Sequence, residues 1–85
     1  SGKEIEFKAG IRFTGIDDIG LVHNITSTIS KQLSINMKSI SFNSIDGIFE
    51  GKIILYVTDT DHLDSLFTQL QNLKGIHTIE RIDIE

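Results

Sequence analysis

The segment from Asp46 to Thr58 constrains the fold most tightly. Asp46-Gly47 is a strong hairpin signal, because a tight turn there wants φ > 0 and this pair tolerates it. Beyond the turn, Phe49, Gly51, Ile53, Leu55 and Val57 share one face of a strand, and that face is wholly apolar. Ile48, Glu50, Lys52, Ile54 and Tyr56 form the other, mixed face. The turn needs a partner strand just before it, and Asn36 to Ser44 supplies one, more polar in character.

The remaining periodicities complete the pattern. Ile5, Phe7, Ala9, Ile11 and Phe13 alternate with mostly polar residues, which predicts a first strand with one buried face. Gly15 to Gly20 breaks the alternation. From Leu21 onward Val22, Ile25, Ile29 and Leu33 fall at helical spacing, and Asp17 or Asp18 can cap that helix. A second helix is predicted from about Asp61 to Lys74, with Leu63, Leu66, Phe67, Leu70 and Leu73 on one stripe. Asp61 and Asp64 suit its electropositive start, and Gly75 its C′ position. Ile76 to Ile84 reads as the last strand.

The order is therefore β-α-β-β-α-β, two βαβ halves joined by a hairpin. Right-handed crossovers place both helices on one face of the sheet. The expected fold is an α+β, ferredoxin-like sandwich whose antiparallel four-stranded sheet has the order 4-1-3-2, the two apolar strands in the middle. Phe13, Ile25, Ile29, Ile53, Leu55, Leu66, Phe67 and Leu70 are the expected core.

With 85 residues the chain suits one domain, and such a domain buries only about 60–65% of its unfolded surface. Ser1-Gly2 reads as a tag-cleavage scar and residues 1–4 as a flexible lead-in, leaving residues 5–85 as a single domain. There is no cysteine, which removes disulfides, thiol chemistry and Cys-based zinc sites. Lacking both cysteine and a secretory leader, the domain is expected to be cytoplasmic. Its longest apolar run, Ile53–Val57, is far too short to span a membrane. The formal net charge is −4 and no two basic residues adjoin, so direct nucleic-acid binding is not expected.

Catalytic chemistry is missing from the pattern. His23, His62 and His77 are scattered, without the His-x-x-x-His spacing of a metal site, and no cofactor is implied. His23 and Ser27 stand at helical i, i+4 spacing but without the orienting acid a nucleophile–base pair needs. An RNA-recognition module would need aromatic and basic residues on the open face of the middle strands. This chain offers Arg12, Thr14, Lys52, Ile54 and Tyr56 there, one aromatic among them.

The stretch Ile11-Arg-Phe-Thr-Gly-Ile-Asp-Asp-Ile-Gly-Leu-Val-His-Asn-Ile-Thr26 resembles the opening strand, loop and helix of an ACT domain, a small-molecule-sensing module of amino-acid metabolism. The resemblance continues through Ser34-Ile35-Asn36-Met37, through Gly47 to Asp59, and into Gly75-Ile76-His-Thr-Ile79-Glu-Arg81, covering about residues 7–82. Asp61-His62-Leu63 and the Gly-Ile-x-x-Ile-x-Arg close are most similar to the C-terminal ACT domain of RelA/SpoT enzymes. Those are (p)ppGpp synthetase/hydrolases, also called GTP pyrophosphokinases, of the bacterial stringent response. The resemblance implies a non-catalytic regulatory domain whose partners are the parent enzyme's catalytic domains. The alternative is an ACT-type module of another enzyme or regulator of amino-acid metabolism.

In the family the ligand pocket lies between the first strand–helix loop and the second strand of a neighbouring copy. The resemblance thus implies a site for an amino acid at Asp17, Asp18, Gly20, Leu21 and Asn36. The helix N-terminus and Gly20 would receive its carboxylate, Asp17 or Asp18 its ammonium, and Asn36 either group. Asp18 stands where Arg or Lys is common in the family, and two neighbouring carboxylates oppose capture of an anion. Docking on the parent enzyme or a ribosomal partner stays open beside amino-acid sensing. Strand two is an expected edge whose only charge is Lys38, so a homodimer through Met37, Ile40 and Phe42 is expected.

Overall fold

A computed structural model describes residues 5–16, 18–32 and 35–82. Along the chain run β1 (Phe7–Ile16), α1 (Ile19–Ser30), β2 (Ile35–Ile45), β3 (Ile48–Val57), α2 (Thr60–Gln71) and β4 (Ile76–Ile82). The sheet order is β2-β3-β1-β4, the expected 4-1-3-2 counted from the other edge. All three pairings are antiparallel. The fold is the ferredoxin-like arrangement anticipated above.

Each boundary has a local cause. Asp46 and Gly47 turn the β2–β3 hairpin with φ of 52° and 79°, the left-handed pair a two-residue hairpin requires. Asp18 caps α1, its Oδ1 accepting from Gly20 N–H at 2.9 Å. α2 starts at Thr60, one residue before the expected Asp61, and Asp59 caps it by accepting from His62 N–H at 2.8 Å. Asp61 does lie in that helix's first turn, whereas Asp64 approaches Arg81 at 3.7 Å across exposed side chains.

Gly75 plays a different part from the one expected of it. α2 ends at Gln71, so Gly75 is not its C′ residue. With φ of 100° it shapes the turn into β4, and its carbonyl accepts from Ile16 N–H at 3.0 Å. A side chain on Gly15 would strike that carbonyl at 2.6 Å and Leu21 Cδ2 at 2.7 Å. Two glycines thus let the end of β1, the first residues of α1 and the α2–β4 turn converge.

One cluster fills the space between helices and sheet. β1 contributes Ala9, Ile11 and Phe13, β3 contributes Ile53, Leu55 and Val57, and the helices contribute Leu21, Ile25, Ile29, Leu63, Leu66 and Leu70. Two expectations about the helix stripes change. The buried row of α1 is Leu21, Ile25 and Ile29, with Val22 half-buried, because both sets fit a helix stripe and the rotation of α1 against the sheet selects this one. Phe67 is half-buried at the flank of its stripe. Leu33 and the expected end of the last strand at Ile84 lie outside the described residues.

Candidate ligand site at the α1 N-terminus and the β2 edge

β1 runs to Ile16 and α1 turns back over the sheet from Ile19, so the loop expected to hold a ligand sits at the Ile16 end. There Asp18 serves the helix itself. Its side chain takes Gly20 N–H, and its carbonyl accepts from Leu21 N–H at 3.0 Å and from Val22 N–H at 3.4 Å. The seat that a ligand's carboxylate would take on the first turn is already filled by a carboxylate of the chain. Gly20 is exposed, and a Cβ there would approach Asp18 Oδ1 at 3.3 Å. Leu21 is buried in the core, where its side chain anchors the helix. Asp17 lies outside the described residues.

Asn36 sits at the other end of the sheet. It pairs with Tyr56 on β3, next to the Ile35–Val57–Phe7 row. From the Asn36–Tyr56 row to the Ile16–Ile48 row is about 26 Å of strand, at roughly 3.3 Å per residue. Within one chain, therefore, Asn36 and the α1 loop do not meet. Asn36 Nδ2 instead donates to Glu6 Oε2 at 2.6 Å, and both groups are exposed.

β2 is an edge strand, hydrogen-bonded within the described residues only to β3. Its expected contact residues divide by face. Met37 is 40% exposed, beside a bulge between Met37 and Ser39. Ile40 and Phe42 turn inward and pack against the core. Phe42 meets the rings of Phe13 and Phe49 edge-on at centroid distances of 5.9 and 4.8 Å. Pairing through this edge would thus use backbone groups and Met37, with the Ile40 and Phe42 side chains retained inside.

His62 is engaged locally, with Nδ1 3.2 Å from Asp59 Oδ2 and 3.3 Å from Thr58 Oγ1 on an exposed surface. Among the described residues no group of three His, Asp or Glu side chains could hold a metal ion. No described helix is long and apolar enough to cross a membrane.

The chain that folds into this βαββαβ framework matches the ACT domain family model over residues 3–81. The chain is a member of the ACT domain family. In particular, it is 38% identical to the ACT domain from the GTP pyrophosphokinase of Chlorobium tepidum. That crystal structure superposes with a TM-score of 0.82, covering 92% of this chain and all of the other. An ACT domain protein from Streptococcus pneumoniae is 25% identical, with a TM-score of 0.63 over 87% of this chain and 88% of its own. A homoserine dehydrogenase from Thiobacillus denitrificans shares the fold at 14% identity and a TM-score of 0.75, over 93% of this chain and 17% of that enzyme. Among curated proteins no sequence matches this chain significantly.

Proposed function

We propose that this ACT domain is the regulatory module of a RelA/SpoT-type GTP pyrophosphokinase, acting on catalytic domains elsewhere in the parent protein. The observation that carries this reading is the 38% identity to the ACT domain of such an enzyme over 92% of the chain. A regulatory domain needs a surface that can be occupied or vacant, and the β2 edge is a candidate. Its outer backbone groups would accept another strand, with only Lys38 to discourage pairing.

Antiparallel pairing of two β2 edges would join what one chain separates. The Asn36 end of one strand would lie beside the Ile45 end of its partner, the end at which the partner's α1 begins. An amino-acid site would then exist only in the dimer, with Asn36 from one copy and Asp18 and Gly20 from the other. The Asp18 carboxylate on the first-turn N–H groups favours a second use of the same surface, contact with the parent enzyme or another protein.

Sedimentation velocity tests the pairing, on the wild type beside Ser39→Lys and Ile40→Pro. Ser39 is exposed on β2, so a lysine there sets like charges against each other across a two-fold edge without removing a ladder bond. The wild type should self-associate and both variants should not, with far-UV circular dichroism of Ser39→Lys unchanged. A strictly monomeric wild type at high micromolar concentration would sink the dimer and the shared site with it. An NMR titration with the twenty amino acids then separates the two uses. Shifts at Gly20 and Asn36 mark sensing, and silence marks protein contact.

A further inference from the structure

The sheet face opposite the helices carries a set of hydrogen-bond donors that, among the described residues, make one weak contact, Arg12 with Glu80. Ser41, Lys52, Arg12 and Glu80 form one row across all four strands, Ser41 opposite Lys52, Lys52 opposite Arg12 and Arg12 opposite Glu80. Asn43 and Glu50 are partners in the adjacent row. Placing Lys52 directly across from Arg12 sets two positive charges side by side, an arrangement that destabilises a sheet unless something neutralises it. Arg12 reaches Glu80 only at 3.8 Å between exposed side chains, too weak a pair to do so. Lys52 forms no ion pair among the described residues, and neither Ser41 nor Asn43 engages its side chain there.

Arg12, Lys52, Ser41 and Asn43 converge on one open depression of about 220 Å³, whose remaining lining is Glu50, Phe42 and Gly51. Arg12 and Lys52 only donate, Ser41 and Asn43 can donate beside them, and Glu50 is the one carboxylate of the lining, so the site suits a ligand rich in acceptors. We infer that this depression binds a small oxyanion, a carboxylate or phosphate group, held between the Arg12 guanidinium and the Lys52 ammonium and hydrogen-bonded by Ser41 and Asn43. The site lies on the face away from the helices and does not depend on β2 pairing or on the parent enzyme.

The test is an NMR titration of labelled protein with sodium phosphate and separately with sodium acetate, each stock adjusted to the same pH and ionic strength held constant with sodium chloride. Saturable shifts should centre on Arg12, Ser41, Asn43 and Lys52, and the stronger of the two anions identifies the head group. Lys52→Gln should weaken binding about tenfold, the loss of one charge-assisted hydrogen bond. Lys52→Arg should retain it, and Glu50→Gln should strengthen it by lifting a repulsion. Both side chains are exposed, and dispersed spectra verify that each variant is folded. Shifts that never saturate, that chloride reproduces, or that survive Lys52→Gln unchanged would overturn the assignment.

Discussion

Replacing Gly51 by alanine tests the packing on which the whole sheet rests. Gly51 lies in β3, which joins the edge strand β2 to the central strand β1, and it stands directly opposite Phe13. The Phe13 ring lies over the glycine. A Cβ at position 51 would come within 2.6 Å of Cε2 and 2.9 Å of Cε1, and closer still to Cζ. The ring cannot swing away, because Phe13 is 1% exposed and the Phe42 ring abuts it. Overpacking of this kind costs about 1–3 kcal/mol. At roughly 0.05–0.15 kcal/mol per residue the domain has only about 4–13 kcal/mol in total. Urea denaturation followed by circular dichroism should report the loss, with Tm falling roughly 4–8 °C per kcal/mol. Phe13→Leu removes the ring, so in the double variant the alanine should cost much less, a coupling of about 0.5–3 kcal/mol. A Gly51→Ala protein within about 0.5 kcal/mol of wild type, or one whose loss simply adds to that of Phe13→Leu, would refute the reasoning.

Other outcomes follow from the same geometry. Leu55→Ala empties a site that is 0% exposed at the centre of β3 and should cost about 2–5 kcal/mol by urea denaturation; a loss below about half a kilocalorie would mean the face assignment is reversed. Asp18→Ala removes the α1 cap and should cost about 0.5–2 kcal/mol, with faster amide exchange at Gly20 as the local sign. Unchanged exchange at that amide would show that the hydrogen bond does not form in solution. Gly15→Ala pushes against the Gly75 carbonyl, a backbone atom, and should cost about 1–3 kcal/mol; near-neutral stability would show that the β4 turn yields. The isolated domain should show no turnover of GTP, ATP or (p)ppGpp in a phosphate- or pyrophosphate-release assay. Reproducible turnover by highly purified protein would end the regulatory reading.

Periodicity carried most of the fold because its two signals are strong here. The alternation in β1 and β3 and the helical stripes both follow from the need to bury one face of each element. Positions at a stripe's border were harder to place. Val22 and Leu21 are neighbours on the helix, and which of them is buried depends on how α1 is rotated against the sheet, a tertiary choice that spacing alone leaves open. Gly75 shows the same limit. A left-handed glycine after a helix stripe fits a C′ residue, yet here the helix stops at Gln71 and the glycine serves the turn that receives Ile16 N–H. Asp59 and Asp61 are both able to cap a helix, and only the path of the chain leaving β3 selects the first.

The resemblance puts the expected site between two copies, and the chain path shows why its residues do not meet within one. A loop after strand one and a residue at the start of strand two are close in sequence, yet a βαβ crossover returns the chain to its starting end before strand two begins. Asn36 must therefore lie a strand's length from Asp18 in any single copy of this topology. The two can serve one ligand only if a second chain brings its own strand two alongside in the opposite direction. The open edge of β2 and the separation of the two halves are consequences of one chain path. If pairing fails, the Asn36–Glu6 and Asp18–Gly20 hydrogen bonds are unrelated local contacts, each sufficient to explain its own residue. If pairing occurs, the same two contacts are what a ligand must displace, and the affinity of the site is set by that competition.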